Sequence, residues 1–149
     1  MSLVLELPAQ YGYVLVAATS TFFVNTLHAF LTSSARKSSG IKYPVAYASN
    51  EVAEKDALAY KFNCVQRSHA NFTENHTSFL GALFISGLRF PVASAVLGAG
   101  WTLSRAVYAI GYASGGPQGR MQGSIGSFLF DTSLKFMAAY TSIMFALGQ

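Results

Sequence analysis

The chain reads as an all-α integral membrane protein, one domain over residues 1–149 built as a four-helix bundle. Three observations predict this. Hydrophobic residues make up 52% of the chain and charged residues only 11%, against about 25% charged in an ordinary soluble domain. The apolar residues gather into runs near the ~20 residues that a helix needs to cross hydrocarbon. The runs are separated by short segments rich in Gly, Pro, Ser and mixed charge, which stop helices.

The first span lies near residues 11–31, "YGYVLVAATSTFFVNTLHAFL". No basic residue precedes it and no small-residue cleavage site follows a short apolar core, so it is expected to be an uncleaved anchor. The second lies near residues 62–88, the third near 92–111 and the fourth near 124–147. Between the first two, "SSARKSSGIKYPVAYASNEVAEKDALAYK" is a long polar connection. Pro91 marks a tight turn before the third span, and the glycines and Pro117 of "SGGPQGRMQG" are expected to stop the third helix.

Four crossings place the long connection, the start of the second span and the turn before the fourth on one side. Of ten Lys and Arg, that side holds Arg36, Lys37, Lys42, Lys55, Lys61, Arg67 and Arg120. The excess of positive charge predicts that it faces the cytosol. The net charge of +4 does not indicate nucleic acid, because the cations alternate with lipid-grade spans instead of forming one dense soluble patch. The single cysteine, Cys64, sits in no metal or redox spacing and reads as a buried thiol.

Two helical stripes carry chemistry. Arg67, Asn71, Glu74 and Ser78 fall at i, i+4, i+7 and i+11, and Trp101, Arg105, Tyr108 and Tyr112 repeat the pattern on the third span. An arginine facing lipid costs at least about 2.5 kcal/mol, so both stripes are expected to face protein or a wet cavity. Asp131 and Lys135, at i and i+4, are expected to pair locally. Arg36, Arg67, Arg105 and Arg120 converge at one level, which suits an anionic ligand, because a guanidinium clamps a carboxylate with two parallel hydrogen bonds. Glutathione satisfies this set group by group, and a nucleotide or an anionic lipid headgroup fits the same chemistry. No metal site is expected, and His28 reads as a helix histidine with its hydrogen bonds satisfied. The sequons at Asn71 and Asn75 lie on the predicted cytosolic side and read as chance.

The stretch "FNCVQRSHANFTEN", followed by "RAVYAIGYASGGPQGR", resembles the membrane-associated proteins in eicosanoid and glutathione metabolism. "YGYVLVA" and "SSARKSSGIKYPVAY" are similar to the type-three branch of the microsomal glutathione transferases. The resemblance implies a homotrimer in the bilayer that holds glutathione between subunits near the cytosolic face. It places Ser34, Arg36, Arg67, His69, Asn71, Glu74, Tyr108 and Tyr112 against glutathione, with Arg105 joining them from the stripe on the third span. It implies that Arg120 activates the thiol. His69 and Asn75 depart from the residue types that bind in relatives. The implied activity is that of a glutathione transferase and peroxidase acting on lipophilic electrophiles or lipid hydroperoxides, in the endoplasmic reticulum, with the mitochondrial outer membrane as the alternative. A lipid-binding scaffold without catalysis and a small transporter subunit are the competing readings.

Overall fold

The computed structural model describes residues 6–149. It contains five helices: α1 (Tyr11–Ser39), α2 (Asn50–Lys55), α3 (Ala57–Gly87), α4 (Pro91–Gly119) and α5 (Met121–Ala146). No strand occurs among the described residues. The four long helices correspond to the four expected spans, and each is longer than its apolar run. An apolar count registers only what lies in hydrocarbon, whereas the backbone hydrogen bonds continue through polar turns beyond it.

The ends of the helices have local causes. α1 runs on through Arg36 and Lys37, whose charges suit a helix C-terminus, and stops at Gly40, where φ is 69°. Ser49 caps α2, its hydroxyl accepting from the Val52 N–H, and the Asp56 carboxylate starts α3 by accepting from the Leu58 N–H at 2.8 Å. These two caps place helix in part of the connection that the sequence presents as polar loop. Pro91 occupies the first turn of α4, where its missing N–H costs nothing.

α4 departs most from expectation. It continues past Gly111, and the break comes at Gly116, with φ 60° and ψ −148°. Glycine tolerates this conformation and a residue with a Cβ does not. Pro117 then begins a last helical turn, and Arg120 joins α4 to α5.

α3 and α4 form the central pair, and α1 and α5 each pack on both without contacting one another. Phe72, Phe79, Leu83, Trp101 and Leu134 fill the core, with Phe79 and Trp101 stacked at 3.8 Å between ring centroids. α4 and α5 meet at backbone contact. A Cβ on Gly123 would lie 2.6 Å from the Ser104 carbonyl oxygen, and within α4, across the Gly116 break, one on Gly119 would overlap the Gly111 carbonyl.

The outer surface is apolar, with Phe23, Phe30, Leu103, Phe128 and Phe136 all exposed. A soluble monomer rarely shows so much contiguous apolar surface. Among the described residues, only α1 is by composition both long and apolar enough to cross a membrane. The other expected spans are less apolar than α1: Arg67, His69, Asn71, Glu74 and His76 dilute α3, and Asp131 and Lys135 dilute α5.

Because Gly123 sits against backbone that cannot yield, Gly123→Ala should lower stability by about 1–3 kcal/mol. Gly12→Ala, in open space on α1, should be neutral or slightly stabilising. Thermal unfolding of the two purified variants in one detergent checks the contrast, and equal midpoints would refute the close-contact account.

Candidate functional site

The residues singled out by the sequence fall into three groups. The first lies on the exposed face of α3. Arg67 donates from Nη1 and Nη2 to the two Glu74 oxygens at 2.7 and 3.2 Å, a bidentate pair. Its side chains are 45% and 52% exposed, an unusual place for an ion pair midway along a helix with apolar neighbours.

The second group surrounds Tyr108. Arg120 Nη1 donates to the Tyr108 hydroxyl at 3.1 Å, and the Arg120 Cζ lies 5.2 Å from the Tyr112 ring centroid. Tyr108 is buried, with its ring edge-on to Tyr112 at 5.7 Å. The α4–α5 glycine contact brings this about, because it folds the α4–α5 junction back onto α4. Tyr108 as acceptor holds the Arg120 guanidinium above its ordinary pKa, with nearby Arg67 opposing the shift. Arg120 is therefore a permanent cation whose buried Nε has no protein partner.

Arg105 also approaches the Tyr108 ring, its Cζ 4.4 Å from the centroid. It is 4% exposed and donates from Nη1 to the Asn71 side-chain oxygen at 2.9 Å. That bond orients the amide, leaving the Asn71 NH2 as the group available to the Arg67–Glu74 face. Arg105 Nε and Nη2 are buried without partners.

The third group is separate from these. Arg36 donates from Nη1 to the Val45 carbonyl at 2.7 Å, and its Cζ lies 4.2 Å from the Tyr43 ring and 4.6 Å from the Phe62 ring. It ties the segment after α1 to the first turns of α3. No hydrogen bond or ring contact among the described residues joins it to Arg67, Arg105 or Arg120, so within one chain the four guanidinium groups are not one cluster. Ser34 lines a narrow cavity of about 130 Å³ with Leu31, Ser38, Lys61 and Val65. His69 lies on the α1 side of α3, 3.2 Å from the Asn25 side-chain oxygen and stacked on His28 at 5.6 Å. Both nitrogens of fully buried His28 lack partners, which corrects the expectation of a satisfied histidine. Phe72 and His69 pack on its ring without offering a hydrogen bond to its in-plane nitrogens.

Two residues that the sequence left outside the site border it. Cys64 packs with Tyr108 and Tyr112 and lines, with Tyr60, Lys61 and Tyr112, a cavity of about 390 Å³ beside the Gly116 break. Asp131 and Lys135 form the expected pair at 2.5 Å, yet the second Asp131 oxygen is buried without a partner, and Asp131 lines a cavity with Arg105. The i, i+4 spacing gives no sign of that unpaired oxygen.

All-helical structure, apolar outer faces and an arginine–tyrosine cluster on which α3, α4 and the α4–α5 junction converge are the features of a helical membrane protein. A family model, the MAPEG family, matches residues 14–140. The chain therefore belongs to the MAPEG family, whose members act in membranes and typically bind glutathione, and which includes glutathione transferases and peroxidases alongside members without catalysis.

Because Arg36 supplies both a charge-assisted hydrogen bond and a flat stacking surface, lysine cannot replace it. Arg36→Lys should loosen residues 40–49 by about 1.5–3 kcal/mol. Limited proteolysis there should accelerate by about tenfold or more, and an unchanged cleavage rate would count against the anchoring role.

Proposed function

We propose that this protein is a membrane-bound glutathione transferase with glutathione peroxidase activity, in which Arg120 holds the reactive thiolate. The observation that carries this reading is the Arg120–Tyr108–Tyr112 arrangement. It is a permanently charged guanidinium, fixed by a tyrosine hydroxyl and backed by a second ring, in a chain whose family typically binds glutathione.

The chemistry follows from the thiol. Free thiols have a pKa near about 8.5, and a cation within hydrogen-bond reach favours the thiolate. With its proton released to water, the thiolate attacks an electrophilic carbon of a lipophilic substrate, forming the C–S bond as the leaving group takes the electron pair. Against a lipid hydroperoxide it attacks the terminal oxygen. The O–O bond breaks, the alkoxide takes a proton and leaves as the alcohol, and a sulfenic acid remains. A second glutathione condenses with that sulfenic acid to give the disulfide and water.

Arg67 and Glu74 hold the charged ends. Their mutual ion pair is the form that the ligand separates, with a glutathione carboxylate taking Arg67 and the ammonium taking Glu74. The Asn71 amide, set by Arg105, donates beside them. An exposed ion pair on an apolar surface favours a cover from a second copy, in keeping with a homotrimer whose neighbouring subunit brings Ser34, Arg36 and His69 to the ligand. We assign the site to the cytosolic side of the endoplasmic reticulum membrane. One observation favours a scaffold without catalysis: Arg67 and Glu74 already satisfy each other. Turnover with glutathione and an aryl halide separates the readings, since a scaffold gives none.

Glu74→Gln removes the ammonium partner and should raise the glutathione dissociation constant at least about tenfold by calorimetry, as expected for a charge-assisted hydrogen bond. Unchanged affinity removes Glu74 from the site. Arg120→Ala should leave affinity within a few-fold, because the charged ends stay anchored. It should lower turnover at saturating glutathione by about 10–1,000-fold, the effect of one to three pKa units on the thiol. Raising the pH should restore part of that rate. Retained turnover with lost binding would make Arg120 a carboxylate clamp instead.

A further inference from the structure

Cys64 is the single cysteine of the chain, and the chemistry described above leaves it idle. It is 6% exposed and packs against Tyr108 and Tyr112, the two tyrosines that hold the Arg120 guanidinium. It also lines the cavity of about 390 Å³ beside the Gly116 break, together with Tyr60, Lys61 and Tyr112. A thiol that only fills space has no need of such surroundings. Tyr112, which lines the same cavity, is 7% exposed, and its hydroxyl has no hydrogen-bond partner among the described residues. A phenol buried to that degree ordinarily bonds to something, so the free hydroxyl marks a place for a polar ligand. The cavity wall is open at Gly116, where a Cβ would meet nothing nearer than the Tyr60 ring at 3.8 Å.

We propose that Cys64 is a catalytic residue of the peroxidase reaction, taking the oxidised sulfur of the first glutathione as a mixed disulfide that a second glutathione, entering through this cavity, releases. The proposal rests on the reading of Arg120 as holder of the thiolate, and it puts Cys64 in place of the second glutathione in the condensation step. Reduction of the hydroperoxide leaves glutathione sulfenic acid beside Arg120. The Cys64 sulfur attacks the sulfenic sulfur, an S–S bond forms, the S–O bond breaks, and the hydroxide leaves with the thiol proton as water. The thiolate of the second glutathione then attacks the glutathione sulfur of the mixed disulfide. That S–S bond breaks, its electron pair returns to Cys64 with a proton, and glutathione disulfide departs.

Position and size both favour this role. Cys64 and Arg120 meet the same two tyrosines, so a sulfur held at the guanidinium is oxidised next to a thiol already in place. A sulfenic acid left waiting is carried on to the sulfinic acid by further peroxide, and a positioned thiol captures it sooner than one arriving from solution. The cavity has room for about thirteen water-sized groups at ~30 Å³ each, enough for the cysteinylglycine end of a second glutathione. Lys61 supplies a cation for its carboxylate and the free Tyr112 hydroxyl a further hydrogen bond.

The purified protein in nanodiscs, loaded with one glutathione per chain, is mixed with a long-chain hydroperoxide, quenched in acid, and its thiols are alkylated before the intact mass is read. With no second glutathione to discharge it, the mixed disulfide should accumulate as one added glutathionyl group, mapped to Cys64 by peptide sequencing. Excess glutathione should remove it as glutathione disulfide. In Cys64→Ala the yield of glutathione sulfinic acid under the same limiting conditions should rise at least about tenfold, because capture then waits for a molecule from solution. The proposal is overturned if the hydroperoxide is reduced to its alcohol while Cys64 stays free to alkylation, if glutathione disulfide alone modifies Cys64 as fast, or if the variant gives the native yield of sulfinic acid. Should the variant fail to fold, the mapped adduct on the native chain still decides. A native protein that leaves the hydroperoxide intact sinks the peroxidase reading and this step with it, whereas alcohol formed beside an unmodified Cys64 sinks this step alone.

Discussion

The backbone contact between α4 and α5 is the constraint from which the site follows. Gly123 of α5 faces the Ser104 carbonyl of α4, and within α4, across the Gly116 break, Gly111 faces Gly119, both at separations that leave no room for a Cβ. Small residues at a helix interface let two backbones approach where lipid offers no hydrophobic drive to hold them. With α5 so close to α4, the junction after Gly116 folds tightly and Arg120 lands on the residues one and two turns before the break. Tyr108 and Tyr112 are spaced to receive it, one at the hydroxyl and one at the ring face. A wider α4–α5 separation would leave the same residues in the chain and no arginine–tyrosine site.

The second organising principle is the cost of cations in an apolar setting. Each central arginine finds a different remedy. Arg67 pairs with a carboxylate on its own helix, Arg120 uses a phenol and an aromatic face, and Arg36 turns to backbone carbonyls and two rings. Arg105 is the exception, buried with an amide, three aromatic rings within 5.7 Å and two unpaired nitrogens. A residue so incompletely paired is where ligand chemistry is to be sought, since natural proteins depart from full satisfaction of buried polar groups mainly at sites with a function.

The positions of the four long helices could be read from apolar runs, because burial in lipid imposes length and composition together. The two polar stripes could be read as well, because helical periodicity fixes which residues share a face. Three features could not. The polar start of α3 and all of α2 depend on caps at Asp56 and Ser49, and the polar end of α1 on the stop at Gly40, all of which an apolar count ignores. The break at Gly116 depends on one backbone conformation, and three nearby glycines look equally able to adopt it. The role of Arg36 depends on the path of residues 41–45, which no periodicity encodes, so an arginine that anchors its own chain looks identical in sequence to one awaiting a ligand. Asp131 is similar, since a partner four residues away explains one oxygen and conceals the other.

The central claim is that the protein lowers the pKa of a bound thiol through a fixed cation, and a titration of that thiol tests it most directly. The ultraviolet thiolate band of glutathione bound to the purified native protein is followed as the pH is varied. The account predicts a midpoint at least about one unit below the ~8.5 of a free thiol. A bound glutathione that titrates as it does in free solution would contradict it.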